Sequence, residues 1–299
     1  MKGNRIRLSG GFHNDVFLIE GEDIVERISD QGKSEDMVLQ EIEWMNFLYE
    51  RGVALPKPNM SLKVEDGRVR SYFQYIRAEH IDVTNITHWN GTTFKQLGRI
   101  LGKMHSLSKE FEIDIKHRPV WTVENPDVFG IRENLSPWMA EKYDRLMDSL
   151  TSYETTPDTF GLIHNDFHQG NVMINKEGKL TIIDFDECAF NWFAQDIGVI
   201  FYHAYWQHCS FNGNASTFSK TFLEHFFLGY QEENILHYDV INQIPTFLKL
   251  REIFLYQLFH KKWDMENLEE WQRYTLHDLE YKIKLSTPYG GITDFVIYV

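Results

Sequence analysis

The feature that narrows this chain most is a pair of short apolar runs, each ending in acidic or amide side chains. The first is Leu162-Ile163-His164-Asn165-Asp166-Phe167-His168-Gln169-Gly170-Asn171-Val172, and the second, one hairpin later, is Ile182-Ile183-Asp184-Phe185-Asp186. Asp166 and Asn171 stand five positions apart in the spacing H-x-D-x-x-x-x-N, and Asp184 comes at the end of the second run. That is the order of residues in a phosphoryl-transfer site. There a loop aspartate accepts the proton of the attacking hydroxyl, an asparagine holds one magnesium ion and a later aspartate holds the other.

The spacing answers a physical demand. Loose transition states ask mainly for positioning and charge neutralisation, so the base and the metal ligands must flank one reacting phosphorus. Mg2+ takes oxygen ligands and keeps several waters, so one amide and one carboxylate beside phosphate oxygens are enough. The same residues would also suit a polar turn between strands, since Asn, Asp and Gly favour turns. Several matches in order weigh against that plainer reading.

In these residues the chain resembles the aminoglycoside phosphotransferase and choline kinase-like family, small-molecule kinases on the protein-kinase fold. The family pattern H-G-D-x-H-x-G-N is matched by His164, Asp166, His168, Gly170 and Asn171, with Asn165 where the family has glycine. Its D-x-D/E pattern is matched by Asp184 and Asp186, and the second histidine favours the small-molecule branch. The likeness is strongest over residues 161–198 and weakest after Phe211. It implies a bilobal α+β fold, with a small antiparallel-sheet lobe over residues 1–77 and a larger, mostly helical lobe over 78–299, and it implies ATP and Mg2+ as cofactors. It further implies Asp166 as base with His164 and His168 beside it, Asn171 and Asp184 as metal ligands with Asp186 assisting, and Asp196 as a brace of the catalytic loop. A helix-terminal carboxylate favoured by the dipole is the plain alternative for Asp196.

Ahead of the motif the pattern predicts a strand at 6–8, a glycine loop, a strand at 16–20, a turn at Gly21-Glu22-Asp23 and a strand at 24–28. In kinases the first loop covers the ATP phosphates with backbone N–H groups, a role for Gly10 and Gly11, although a bare hairpin turn fits them as well. Where kinases place a third-strand lysine stands Arg27, which keeps the charge and forks toward phosphate but differs in reach. Its expected partner is Glu41, inside a helix predicted over 34–51; Lys33 is an alternative phosphate ligand in a polar loop. Strands at 60–64 and 69–75 around an Asp66-Gly67 turn lead to Gln74, Tyr75 and Ile76, the expected hinge that cradles adenine through backbone groups, although an ordinary strand end fits them equally well.

The formal net charge of -14, from 44 acidic against 30 basic residues, argues against nucleic-acid and anionic-membrane partners and leans toward a cationic acceptor, although solubility alone explains acidity. No apolar run reaches membrane-spanning length and the start lacks the apolar segment of a signal peptide, so a soluble cytoplasmic protein is expected. Cys188 and Cys209 are too few for a disulfide framework or a zinc site. Beyond Ala78 the pattern predicts a core helix carrying Phe94, Leu97, Leu101 and Met104, and others over 138–151, 218–230, 245–263 and 268–285, with 117–137 irregular. Trp206 or Trp263 could face a cation, and Asp264, Glu266, Glu269 and Glu270 could receive an amine. Residues 290–299 read as a strand whose exposed edge would be covered by the chain or by a second subunit in a homodimer.

The whole reads as an ATP- and Mg2+-dependent phosphotransferase acting on a hydroxyl of a small, amine-bearing molecule. Two rivals are a protein serine/threonine kinase on the same scaffold and a nucleotide-binding module of weak catalysis, the latter motivated by Arg27 and Asn165.

Overall fold

In the computed structural model, which describes residues 4–8, 14–112, 117–121, 132–213 and 215–299, the chain opens with an antiparallel meander of β1 (Arg5–Arg7), β2 (Asp15–Ile19) and β3 (Ile24–Ile28). Helix α1 (Glu35–Glu50) starts on Ser34, whose side chain accepts from the Met37 N–H, and carries Glu35 and Asp36 in the first turn, where the dipole favours them. Strands β4 (Lys63–Glu65) and β5 (Arg68–Gln74) then complete a five-stranded sheet in the order β1-β2-β3-β5-β4. Asp66 and Gly67 between them have φ of 55° and 73°, the primed turn that an Asp-Gly pair favours. Val38, Ile42, Met45 and Leu48 of α1 are buried, which gives this small sheet its core. Gly10 and Gly11 lie outside the described residues.

Strand β6 (Glu79–His80) leaves the sheet to pair with β8 (Val172–Ile174), itself paired with β9 (Leu180–Ile182). A second small pair joins β7 (Phe160–Ile163) to β10 (Ala189–Trp192). Around these lie α2 (Gly91–Ser108), α3 (Pro137–Thr151), α4 (Phe193–Asn212), α5 (Ala215–Tyr230), α6 (Tyr238–Lys262) and α7 (Glu270–Leu285). The architecture is the bilobal α+β fold anticipated above. Residues 160–192 therefore form a strand-and-loop layer on a helical bed, and the polar loops of the two motifs project from it. Of the stretch 117–137, residues 122–131 are outside the described set; Pro137 opens α3 at its first turn.

Two expectations fail here. Helix α6 begins at Tyr238, seven residues before the predicted start, and carries Pro245 in its interior. Proline reads as a helix start because it lacks an N–H, but burial of Val240, Ile241, Ile244 and Phe247 offsets the one lost hydrogen bond. Residues 290–299 form no strand. Gly290 and Gly291 take φ of 61° and 74°, which turns the chain back, and short 3-10 turns occupy Tyr289–Gly291 and Val296–Tyr298. Phe295 is buried edge-on against Phe201 at 5.7 Å, so this segment packs on its own chain and presents no strand edge to a second subunit.

Helices α2 and α5 touch backbone to backbone. A Cβ at Gly98 would fall within the envelope of the Phe226 carbonyl, and one at Gly229 within that of Lys95. Gly98→Ala should therefore force the two helices apart and cost about 1–3 kcal/mol of stability, read as a lower urea midpoint with an unchanged m-value.

Candidate active site

The catalytic loop is held from below by one carboxylate. Asp196, fully buried in the first turn of α4, accepts the backbone N–H of His164 at 3.0 Å and of Asn165 at 2.7 Å, and lies 3.4 Å from His105 Nε2. Asn165 has φ of 68°. That left-handed conformation explains why a relative would place glycine there, and asparagine is among the residues that tolerate it best. Its departure from the family pattern therefore leaves the loop geometry intact.

From this loop Asp166 reaches a cavity of about 1150 Å³ that runs between the sheet and helices α4 and α6. Its Oδ1 accepts from Arg251 Nη2 at 2.8 Å, and its Oδ2 lies 3.3 Å from both His168 Nε2 and Asn171 Nδ2. The Gly170 N–H donates to His168 Nδ1, which leaves Nε2 to carry the proton toward Asp166. Burial pushes the Asp166 carboxyl up, but Arg251 and His168 outweigh it and hold it well below the usual carboxylate range. His164 goes elsewhere. It is buried against Phe185 and Phe167, with Nε2 3.1 Å from the Ile183 carbonyl, and does not line the cavity. Apolar neighbours on both sides draw it into the core, so its expected place beside the reacting groups is corrected: it ties the catalytic loop to the strand end that bears Asp184.

Asp184 sits at the mouth of that strand end with φ of 65°, its carboxylate lining the cavity without a hydrogen-bond partner among the described residues. Burial raises its pKa, with Asp186 and Glu41 adding to the effect and Arg27 opposing it. Asn171 donates through Nδ2 to the Asp166 carbonyl at 3.0 Å, which turns its Oδ1 away and leaves it unpaired among the described residues. An unpartnered carboxylate and an unpartnered amide oxygen in a site with excess negative charge fit a divalent cation that prefers oxygen. Among the described residues no cluster of three His, Cys, Asp or Glu could hold a metal alone, so phosphate oxygens and waters would complete the shell. Asp186 also lines the cavity but is already engaged: Lys33 Nζ stands 2.6 Å from its Oδ2 and Arg27 Nη1 3.8 Å from its Oδ1.

Arg27 and Glu41 meet as anticipated. The guanidinium donates Nη1 and Nη2 to the two Glu41 oxygens at 2.6 and 2.9 Å and Nε to Ser71 at 3.2 Å. Burial opposes the charge, but Glu41, then Asp186 and Asp184, raise the guanidinium pKa above its ordinary value. The fork explains how arginine can stand where lysine is usual: it pairs bidentately, which an ammonium cannot. Lys33, the alternative phosphate ligand, is spent on Asp186. Gln74, Tyr75 and Ile76 line the cavity, and the Tyr75 N–H donates to the Asp23 carbonyl at 2.8 Å.

The far end is aromatic: Trp206 of α4, Phe254 and Phe259 of α6, and Trp263, which stacks on Phe259 at 4.2 Å. Asp264, Glu266, Glu269 and Glu270 are exposed outside it, since Asp264 closes a turn with Asn267 and Glu269 caps α7. Arg251 and His203, absent from the sequence reading, lie at the centre of the site.

The bilobal α+β fold sets Asp166, Asn171 and Asp184 on one cavity between the sheet and the helices, the arrangement of a phosphotransferase fold. The chain belongs to the phosphotransferase enzyme family, whose model matches residues 5–234. It is 31% identical over 271 residues to an amicoumacin kinase of Bacillus subtilis (strain 168), covering 86% of this chain and 79% of that protein. A solved amicoumacin kinase in complex with AMP-PNP, Ca2+ and Ami superposes with a TM-score of 0.86 at 24% identity, covering 99% of this chain and 92% of that one. A microcompartment-associated aminopropanol kinase gives 0.75 at 18% identity, over 96% and 93% of the two chains. The chain is thus a phosphotransferase with an alcohol group as acceptor. Among the described residues no helix is long and apolar enough to cross a membrane.

Asp196→Ala would strip the acceptor from one buried and one half-buried N–H group, each worth about 1–3 kcal/mol when left unpaired. Denaturant unfolding should register roughly 3 kcal/mol of lost stability, and Asp196→Asn, which keeps one acceptor oxygen, a smaller loss.

Proposed function

We propose that this kinase transfers the γ-phosphoryl of ATP to a hydroxyl of a small amine-bearing acceptor, with Asp166 as the base. The observation that carries this reading is that Asp166, Asn171 and Asp184 open into one cavity, with Gln74, Tyr75 and Ile76 at one end and aromatic rings at the other. Residues 1–77 would bind the nucleotide and 78–299 supply the loop and the acceptor wall. Asn171 and Asp184 would hold Mg2+, and Asp186 would join them only by releasing Lys33. The ion, when bound, neutralises charge on the transferring phosphate. Arg27, fixed by Glu41, would steady the phosphates. Asp166 remains ionised near neutrality, and lone pairs beyond its three contacts are left to receive the acceptor's proton.

An amine suits the far end, where Trp206 and Trp263 line the cavity and Asp166 supplies negative charge in the same cavity. Amicoumacin, the compound named for the relative at 31% identity, is the first acceptor to test. A kinase fed by ATP fits the cytoplasm. A protein acceptor is disfavoured because the base opens into a cavity whose far end is walled by Trp206, Phe254, Phe259 and Trp263.

A coupled assay over hydroxylated amines should find turnover with amicoumacin or a related amino alcohol, and none with a panel of Ser- and Thr-containing peptides; the reverse pattern would overturn the acceptor class. Asp166→Asn should lower kcat by about 10²–10⁴-fold while ATP binding by calorimetry stays intact. In Asp184→Asn the Mg2+ concentration needed for half-maximal activity should rise.

A further inference from the structure

Arg251 and His203 belong to the helices that wall the acceptor end of the cavity, yet both point back toward the base. Arg251 is 8% exposed, and its Nη2 donates to Asp166 Oδ1 at 2.8 Å. The same guanidinium reaches His203 Nε2 through Nη2 at 2.7 Å and through Nε at 3.2 Å. Arginine has donors only, so His203 Nε2 must be the acceptor and the imidazole neutral. Burial, with Arg251 and His168 close by, holds the His203 pKa well below its ordinary value, which agrees. On its other side the His203 ring stacks on His168 at 4.6 Å and 23°, and His168 contacts the second oxygen of Asp166. Two rings and one guanidinium thus close a circuit around a single carboxylate.

We propose that Arg251, oriented by His203, is a positioning residue for the base: it fixes the rotamer of the Asp166 carboxylate so that the acceptor hydroxyl meets an oxygen at one set angle. The inference rests on the reading of Asp166 as base. Three physical points carry it. A charge-assisted bond at 2.8 Å is short and directional, and it spans 85 residues of sequence to join α6 to the catalytic loop. The guanidinium is itself oriented at two of its nitrogens by His203, so it cannot swing without breaking bonds in a buried place. The wall that receives the acceptor and the group that deprotonates it are consequently one rigid unit, which is what near-attack geometry requires.

The test compares kcat, KM for ATP and ATP affinity in Arg251→Met, Arg251→Lys and Arg251→Ala with the parent enzyme. Arg251→Met should lose roughly 100-fold in kcat with KM for ATP unchanged, the scale of a misaligned reacting pair. Arg251→Lys should retain part of the rate, and added guanidinium ion should restore turnover to Arg251→Ala, which damage to the fold alone would not allow. His203→Gln, which keeps an acceptor for the guanidinium, should outperform His203→Phe, which keeps only the ring. In a cycle with Asp166→Asn the Arg251→Met substitution should add almost no further loss. Full turnover in Arg251→Met beside an inactive Asp166→Asn would overturn the positioning role alone. Normal turnover in Asp166→Asn would instead remove the base reading beneath it. A folded Arg251→Ala enzyme that is slow and unresponsive to guanidinium also counts against the proposal.

Discussion

The bonds from Asp196 to two successive backbone N–H groups are what the rest of the site hangs on. They fix His164 and Asn165 at the point where the chain turns through a left-handed conformation, and that turn sets the direction in which Asp166 leaves the backbone. Because Asp196 is buried in the first turn of α4, the loop is referenced to the helix that also carries His203 and Trp206. The His164 bond to the Ile183 carbonyl passes the reference on to Asp184. Asp166, Asp184 and the aromatic end of the cavity are therefore positioned by one buried carboxyl group and its neighbours rather than by separate scaffolds.

Much of this could be read from the chain because the phosphoryl-transfer residues lie close in sequence. Asp166 and Asn171 occupy one loop, Asp184 ends the next strand, and turn chemistry with apolar flanks leaves few ways to arrange them. The Arg27–Glu41 pair was legible for a related reason: a strand and the helix after it offer few partners for a buried charge. The glycine position held by Asn165 looked like a weakness, and only its φ reveals it as a conservative solution. The fold class followed from the same sequence of elements.

What stayed hidden depended on distance or on the face of an element. Arg251 sits 85 residues from Asp166, on a helix whose pattern of Phe247, Leu250 and Phe254 announces only a core stripe. A lone arginine among apolar residues in such a stripe was the available signal, since a buried guanidinium demands a partner. His164 shows the opposite error. A motif match cannot tell a residue that touches the reaction from one that props the loop, and here the flanking Ile163 and Phe167 decided for the core. The segment after Tyr289 has the composition of a strand, but two glycines in left-handed conformations and the pull of Phe295 toward Phe201 turned it inward.

The Lys33 bridge to Asp186 has a bearing on how the enzyme rests between turnovers. The carboxylates of Asp184, Asp186 and Glu41 crowd that corner, with Arg27 among them as one counter-charge. An ammonium at 2.6 Å from Asp186 serves as a second resident counter-ion and tethers the halves. Lys33 also donates to the Asp186 carbonyl, so the clasp grips main chain as well as side chain and the two halves stay fastened whichever way the carboxylate turns.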